Sequence, residues 1–172
     1  MNGTRRVFLL LLLTLFWSVP AMAQQTHPIA VIETTKGTIK IKLYPEEAPK
    51  TVENFVKLAK KGFYNGLVFH RVEPGFVIQT GDPNGDGTGG PGYTIKHEKN
   101  KVLKHNRGAV GMARSQELDS AGSQFYVVIT KPAPHLNEGY TVFGQVISGQ
   151  DVAEKIAIGD KMKKVTILDP KK

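Results

Sequence analysis

One arginine stands among apolar neighbours in the run Phe69-His70-Arg71-Val72-Glu73-Pro74-Gly75-Phe76-Val77-Ile78-Gln79-Thr80-Gly81-Asp82. A guanidinium stays protonated at any ordinary pH and presents its N–H donors in a fixed plane, so it suits an acceptor that must be met in one orientation. On an isolated strand the ordinary role is different: the stem covers apolar surface and the head reaches water. Those residues alone leave both roles open.

Other chemistry-bearing groups are easier to discharge. Asp82-Pro83-Asn84-Gly85-Asp86-Gly87 matches the first half of a calcium loop, but Tyr93 stands where the closing Glu belongs and Pro91 opposes the helix that should follow. Gly85-x-Gly87-x-x-Gly90 fits a dinucleotide fingerprint by letter, yet it leads into Pro91 and a strand-like Tyr93-Thr94-Ile95, not into a helix. His27, His70, His97, His105 and His135 show no metal-ligand spacing. Ser115, Ser120 and Ser123 sit in no nucleophile elbow. The expectation is no metal and no cofactor.

The elements that must position Arg71 follow from hydrophobic period. Ile29 to Thr34 reads as a strand and Lys36-Gly37 as a turn. Ile39, Ile41 and Leu43 then alternate with Lys40 and Lys42 in a second strand with one buried face. Pro49 pre-sets a first helical turn, Val52, Phe55, Val56 and Ala59 recur at helical spacing, and Gly62 stops the pattern. Further strands are expected at Leu67 to Val72, Phe76 to Thr80, Ala109 to Ala113, Phe125 to Ile129, Tyr140 to Ile147 and Lys164 to Leu168, with a short helix from Asp151 to Ile158. About eight strands and two helices suit a mainly β fold, a closed antiparallel barrel with plugged ends.

Composition sets the class. The chain has 172 residues with 40% hydrophobic and 22% charged side chains, which excludes a disordered or collagen-like chain and fits one domain. Arg5 and Arg6 precede an apolar run from Val7 to Trp17, and Ala21-Met22-Ala23 offers a cleavage site, so residues 1–23 read as a secretory signal and 24–172 as one domain. The run falls short of the ~20 residues of a bilayer span, so no stable membrane insertion is expected after cleavage. The charge of +8 is spread over scattered and terminal lysines, with no Arg-rich stripe and no aromatic ladder, which argues against nucleic acid. The absence of cysteine in an exported chain removes thiol redox chemistry. No surplus apolar helix face suggests a partner, so a monomer is expected.

The run around Arg71 resembles the cyclophilin family of peptidyl-prolyl isomerases. So do Gly108-Ala109-Val110-Gly111-Met112-Ala113-Arg114, Gly122-Ser123-Gln124-Phe125-Tyr126 and Leu136-Asn137-Glu138-Gly139-Tyr140-Thr141-Val142-Phe143-Gly144. These blocks fall in family order, the likeness runs from Ile29 to Asp169, and with the leader it looks most like the exported bacterial branch. The resemblance implies a closed eight-stranded antiparallel β-barrel capped by two α-helices, with a proline pocket on its outer face. Arg71 then takes the catalytic position, and Phe76, Val77, Gln79, Ala113, Arg114, Ser115, Gln124, Tyr126, Leu136 and Tyr140 line the groove. His70 belongs to the same signature, as support for its strand. Four positions depart from the better-known eukaryotic pattern: Arg114 for asparagine, Tyr126 for phenylalanine, His135 for tryptophan and Tyr140 for histidine. These changes bear on ligand preference, and His135 is expected to weaken binding of the cyclic peptide cyclosporin.

The implied activity is cis–trans rotation of X-Pro bonds in exported proteins, in the periplasm or outside the cell, with proline-containing polypeptides as partners. The alternative is a binding module that holds proline-containing loops without turnover. Retention of Arg71 favours catalysis, because affinity for proline alone needs only an apolar seat.

Overall fold

The computed structural model describes residues 27–99 and 101–170. The expected leader therefore lies outside the described residues. Strands β1 (Ile29–Thr34) and β2 (Gly37–Leu43) form the opening hairpin, paired from Ile29 with Lys42 to Thr34 with Gly37. Alternation decides which side faces in: Ala30, Ile32, Ile39, Ile41 and Leu43 are buried, while Lys40 is exposed. Helix α1 (Pro49–Lys60) buries Val52, Phe55, Leu58 and Ala59. Its first residue outside the helix, Ala48, has no side chain able to cap it. Glu98 supplies the cap from 48 residues away, its carboxylate accepting the Lys50 N–H at 3.0 Å and the Thr51 N–H at 2.8 Å.

The remaining strands are β3 (Arg71–Glu73), β4 (Val77–Thr80), β5 (Ala109–Met112), β6 (Phe125–Val128), β7 (Val142–Ser148) and β8 (Met162–Leu168). A 3₁₀ turn at Pro134–Leu136 and helix α2 (Gln150–Ala153) complete the elements. The strands form one antiparallel sheet in the order β3-β4-β6-β5-β7-β2-β1-β8.

Two expectations need correction. The barrel is not closed: the sheet curls into a half-barrel whose end strands, β3 and β8, share no ladder. Residues expected to lengthen β3 spend their main-chain groups on the segment that leads into β8, and the contact stops at a single bridge. Phe69 N–H donates to the Asp160 carbonyl at 2.8 Å, Met162 N–H donates to the Leu67 carbonyl at 2.9 Å, and a single bridge joins Val68 to Lys161. Helix α2 also stops well before Ile158. After Ala153 the chain continues in tight turns, and the Asp160 carboxylate accepts the Ala157 N–H at 2.8 Å, which ends any further helical winding.

β4, β5 and β6 are buried on both faces. Inward, Ile78, Val110, Met112, Phe125 and Val127 join a core in which Phe55, Tyr64, Phe125 and Phe143 interlock, with Phe55 5.3 Å from both Phe125 and Phe143. Outward, Val77, Ala109, Tyr126, Val128 and Val142 form a second, smaller cluster, against which Phe76, Leu103, Ala113, Leu136 and Tyr140 pack.

Candidate active site

Strand register sets the polar side of this outer cluster. Arg71 on β3 lies opposite Gln79 on β4, and Gln79 lies opposite Tyr126 on β6. Arg71 Nη1 donates to Gln79 Oε1 at 3.1 Å, Gln79 Nε2 donates to Gln124 Oε1 at 2.9 Å, and Gln124 Nε2 donates to the carbonyls of Gly87 and Gly89, both at 2.9 Å. Arg71 Nε meets Glu73 Oε1 at 3.3 Å in a pair whose side chains are 45% and 51% exposed, so the contact orients more than it stabilises. Nη2 of Arg71 has no protein acceptor among the described residues. The approach of Gln124 to Gln79 depends on Gly81, with φ at +87°: a Cβ there would lie 2.3 Å from the Ser123 carbonyl oxygen.

The apolar side is a cavity of about 160 Å³ lined by Arg71, Phe76, Val77, Gln79, Ala113, Arg114, Tyr126, Leu136 and Tyr140. The structure thus brings nine of the residues named from the sequence into one opening. Tyr126 is 5% exposed and packs over its cross-strand neighbour Gly111, where a Cβ would lie 2.5 Å from the ring. Its hydroxyl meets His105 Nε2 at 2.7 Å, and His105 Nδ1 and backbone N–H both meet Asn137 Oδ1 at 2.9 Å. An amide oxygen only accepts, so with Asn137 in this orientation Nδ1 carries the imidazole proton and Nε2 receives the tyrosine hydroxyl. Burial holds the His105 pKa below the ordinary histidine value, despite the bond to Asn137, and pushes that of Tyr126 up.

Four named residues fall elsewhere. Ser115 and Gln124 line a second cavity of about 530 Å³ that shares Gln79, Ala113 and Arg114 with the first and runs along the glycine-rich segment 87–92. His70 lines neither. Both its ring nitrogens are shielded from solvent without a well-formed hydrogen bond, and burial keeps its pKa below the ordinary value, with Arg71 adding to the effect and Asp82 opposing it. His135 is exposed but not idle: its ring stacks on Phe76 at 5.5 Å with 28° between the planes, on the outer side of the apolar seat.

Glu73, His105 and Asn137 hold site residues in ways that no sequence motif announces. The signal that points to His105 is Tyr126 itself, since a buried hydroxyl demands a partner. In the half-matching calcium loop, burial opposes ionisation of Asp82, yet the N–H groups of Asn84, Gly87 and Asp86 hold its pKa below the usual carboxylate range. Asp82 Oδ1 accepts from Asn84, and Oδ2 accepts from Asp86 and Gly87, so main-chain donors occupy both oxygens.

The curled antiparallel sheet has counterparts among proteins of known structure. The chain aligns with a Cryptosporidium parvum cyclophilin-type peptidyl-prolyl cis-trans isomerase, crystallised in the presence of the dipeptide Ala-Pro, with a TM-score of 0.76 and 31% identity over 82% of this chain and 99% of that one. It is 55% identical over 130 residues to peptidyl-prolyl cis-trans isomerase B of Bacillus subtilis, covering 75% of this chain and 90% of the relative. A Helicobacter pylori peptidyl-prolyl cis-trans isomerase is 48% identical over 141 residues, 81% of this chain and 83% of that protein. The family model for cyclophilin type peptidyl-prolyl cis-trans isomerases matches residues 29–171. The chain belongs to this family.

Proposed function

We propose that the protein accelerates cis–trans rotation about X-Pro bonds of exported polypeptides, with Arg71 as the catalytic group. The activity itself is the one its family relatives carry in their names. Rotation is slow because the amide must give up its resonance, a barrier of ~18–20 kcal/mol. No bond is broken. In the twisted state the prolyl nitrogen regains a lone pair that the planar amide had delocalised, so a donor aimed at that nitrogen binds the twisted state more tightly than either planar one. Arg71 suits this part: Gln79 and Glu73 hold two of its nitrogens, and Nη2 is left for a ligand. Phe76, Tyr126 and Leu136 provide the seat for the pyrrolidine ring, and Gln79, which lines the same cavity and spends one amide N–H on Gln124, keeps a second for the adjoining substrate carbonyl.

The observation that carries the reading is this oriented, unsaturated guanidinium at the edge of an apolar cavity. The basic start, apolar run and Ala-Met-Ala end of residues 1–23 support export, and with it work in the periplasm or outside the cell. No helix among the described residues is long and apolar enough to cross a membrane. The test is turnover of a short X-Pro peptide by the native protein and by Arg71→Ala, alongside mass spectrometry of the protein recovered from the periplasm. Full turnover in the variant overturns the role of Arg71, and recovery of an uncleaved chain in the cytoplasm overturns export.

A further inference from the structure

Arg114 occupies the junction of the two cavities and lines both. It differs from Arg71 in one respect that matters for charge. Arg71 is paired with Glu73, whereas Arg114 forms no ion pair with a carboxylate among the described residues. Its guanidinium is nonetheless held firmly. Nε donates to the Gly139 carbonyl at 2.7 Å, Nη1 donates to the carbonyls of Ser115 at 2.8 Å and Gln116 at 3.1 Å, and the group lies 4.8 Å from the centre of the Tyr140 ring. All four partners are uncharged, so they orient the cation without cancelling it. Of the two acids in the adjoining loop, Asp119 accepts the His97 N–H at 2.9 Å and Glu117 is exposed. The junction therefore carries a positive charge whose position is fixed before any ligand arrives, and no rotamer freedom is lost in using it.

We propose that Arg114 makes this protein select X-Pro segments that carry an acidic side chain within two residues of the proline, and disfavour those that carry lysine there. The inference rests on the isomerase reading above and assigns its substrate class. A peptide whose proline sits in the smaller cavity must pass Arg114 to reach the larger one, because those cavities meet only at Gln79, Ala113 and Arg114. A carboxylate brought to about 4 Å from a guanidinium in a water-exposed groove gains roughly fivefold in binding over a neutral side chain.

The experiment uses peptides that differ only in Glu, Gln or Lys, placed in turn two before, one before and one after the proline. Exchange rates are read by NMR, so that no coupling protease adds its own charge preference. In at least one position Glu should exceed Gln by about fivefold in kcat/KM at low salt and Gln should exceed Lys, with both ratios shrinking toward one near 1 M salt, where screening acts within ~3 Å. Arg114→Gln should abolish the ratios, and Arg114→Lys should retain most of them. A purely structural role for Arg114 would slow all the peptides alike and leave the ratios in place, which overturns the proposal. So does a native protein that treats the three alike while turning over the Gln peptide. Absence of turnover on every peptide overturns the isomerase reading, and the selectivity with it.

Discussion

The inner and outer faces of β4, β5 and β6 are both apolar, yet they enclose different things. Inward, aromatic rings from α1, β6 and β7 fill the space against one another, and Phe55, Phe125 and Phe143 are each no more than 1% exposed. Outward, the cluster is smaller and unfinished: Phe76, Leu136 and Tyr140 only partly cover it, and a cavity remains between them. Polar groups follow the same division. The outer face carries Arg71 and Arg114 at its edge, with Tyr126 tied to His105 beneath. A filled cluster spends its burial on stability; one left open keeps apolar surface for a ligand that completes it.

Substitutions on the two faces should therefore separate stability from turnover. Phe125→Ala on the inner face should cost about 3–5 kcal/mol in denaturant unfolding, whereas Phe76→Ala should cost much less stability and more turnover. Equal stability losses for the two would erase the distinction. Next in size, Arg71→Ala should lower kcat/KM by ~10²–10³, about 2.7–4 kcal/mol, with an unchanged unfolding curve.

Tyr126→Phe joins the two kinds of effect. It removes the donor to His105 Nε2 and leaves a buried acceptor unmet, at about 1–3 kcal/mol of stability, while the ring still lines the apolar cavity. Calorimetry should show this loss, and turnover should fall by less than in Arg71→Ala. At the rim, His135→Trp should enlarge the surface stacked on Phe76 and tighten cyclosporin by about tenfold, or ~1.4 kcal/mol, in an inhibition titration. Equal inhibition constants would place residue 135 outside the ligand's reach.

The smallest effect concerns pH. Burial lowers the pKa of His105, His97 and His70 in the folded protein, so the unfolded chain binds more protons between the folded values and about 6.5. Stability from these residues is fully present above about pH 6.5 and declines as the pH falls through that window. Arginine does not titrate there, so turnover by still-folded protein should stay flat from about pH 5.5 to 8. A His70-dependent step in the rate would transfer the chemistry to proton transfer.

What is locally coded can be read directly from the chain. Alternation of Ile39, Ile41 and Leu43 with lysines announces a one-faced strand, and Pro49 with Gly62 brackets a helix, because side-chain period reports which face is buried. The motif blocks carried the family and named nine residues that line one cavity. The long-range features arise only in the folded chain. That residues 67–69 meet residues 160–162 at a single bridge, short of the ladder that would close the barrel, is a matter of main-chain hydrogen bonds, which no side-chain pattern encodes. Glu98 capping α1, His105 receiving the Tyr126 hydroxyl and Arg114 held by carbonyls of two loops each join residues far apart in the chain. Such pairings depend on strand register and loop path, and these are set only when the whole sheet has curled.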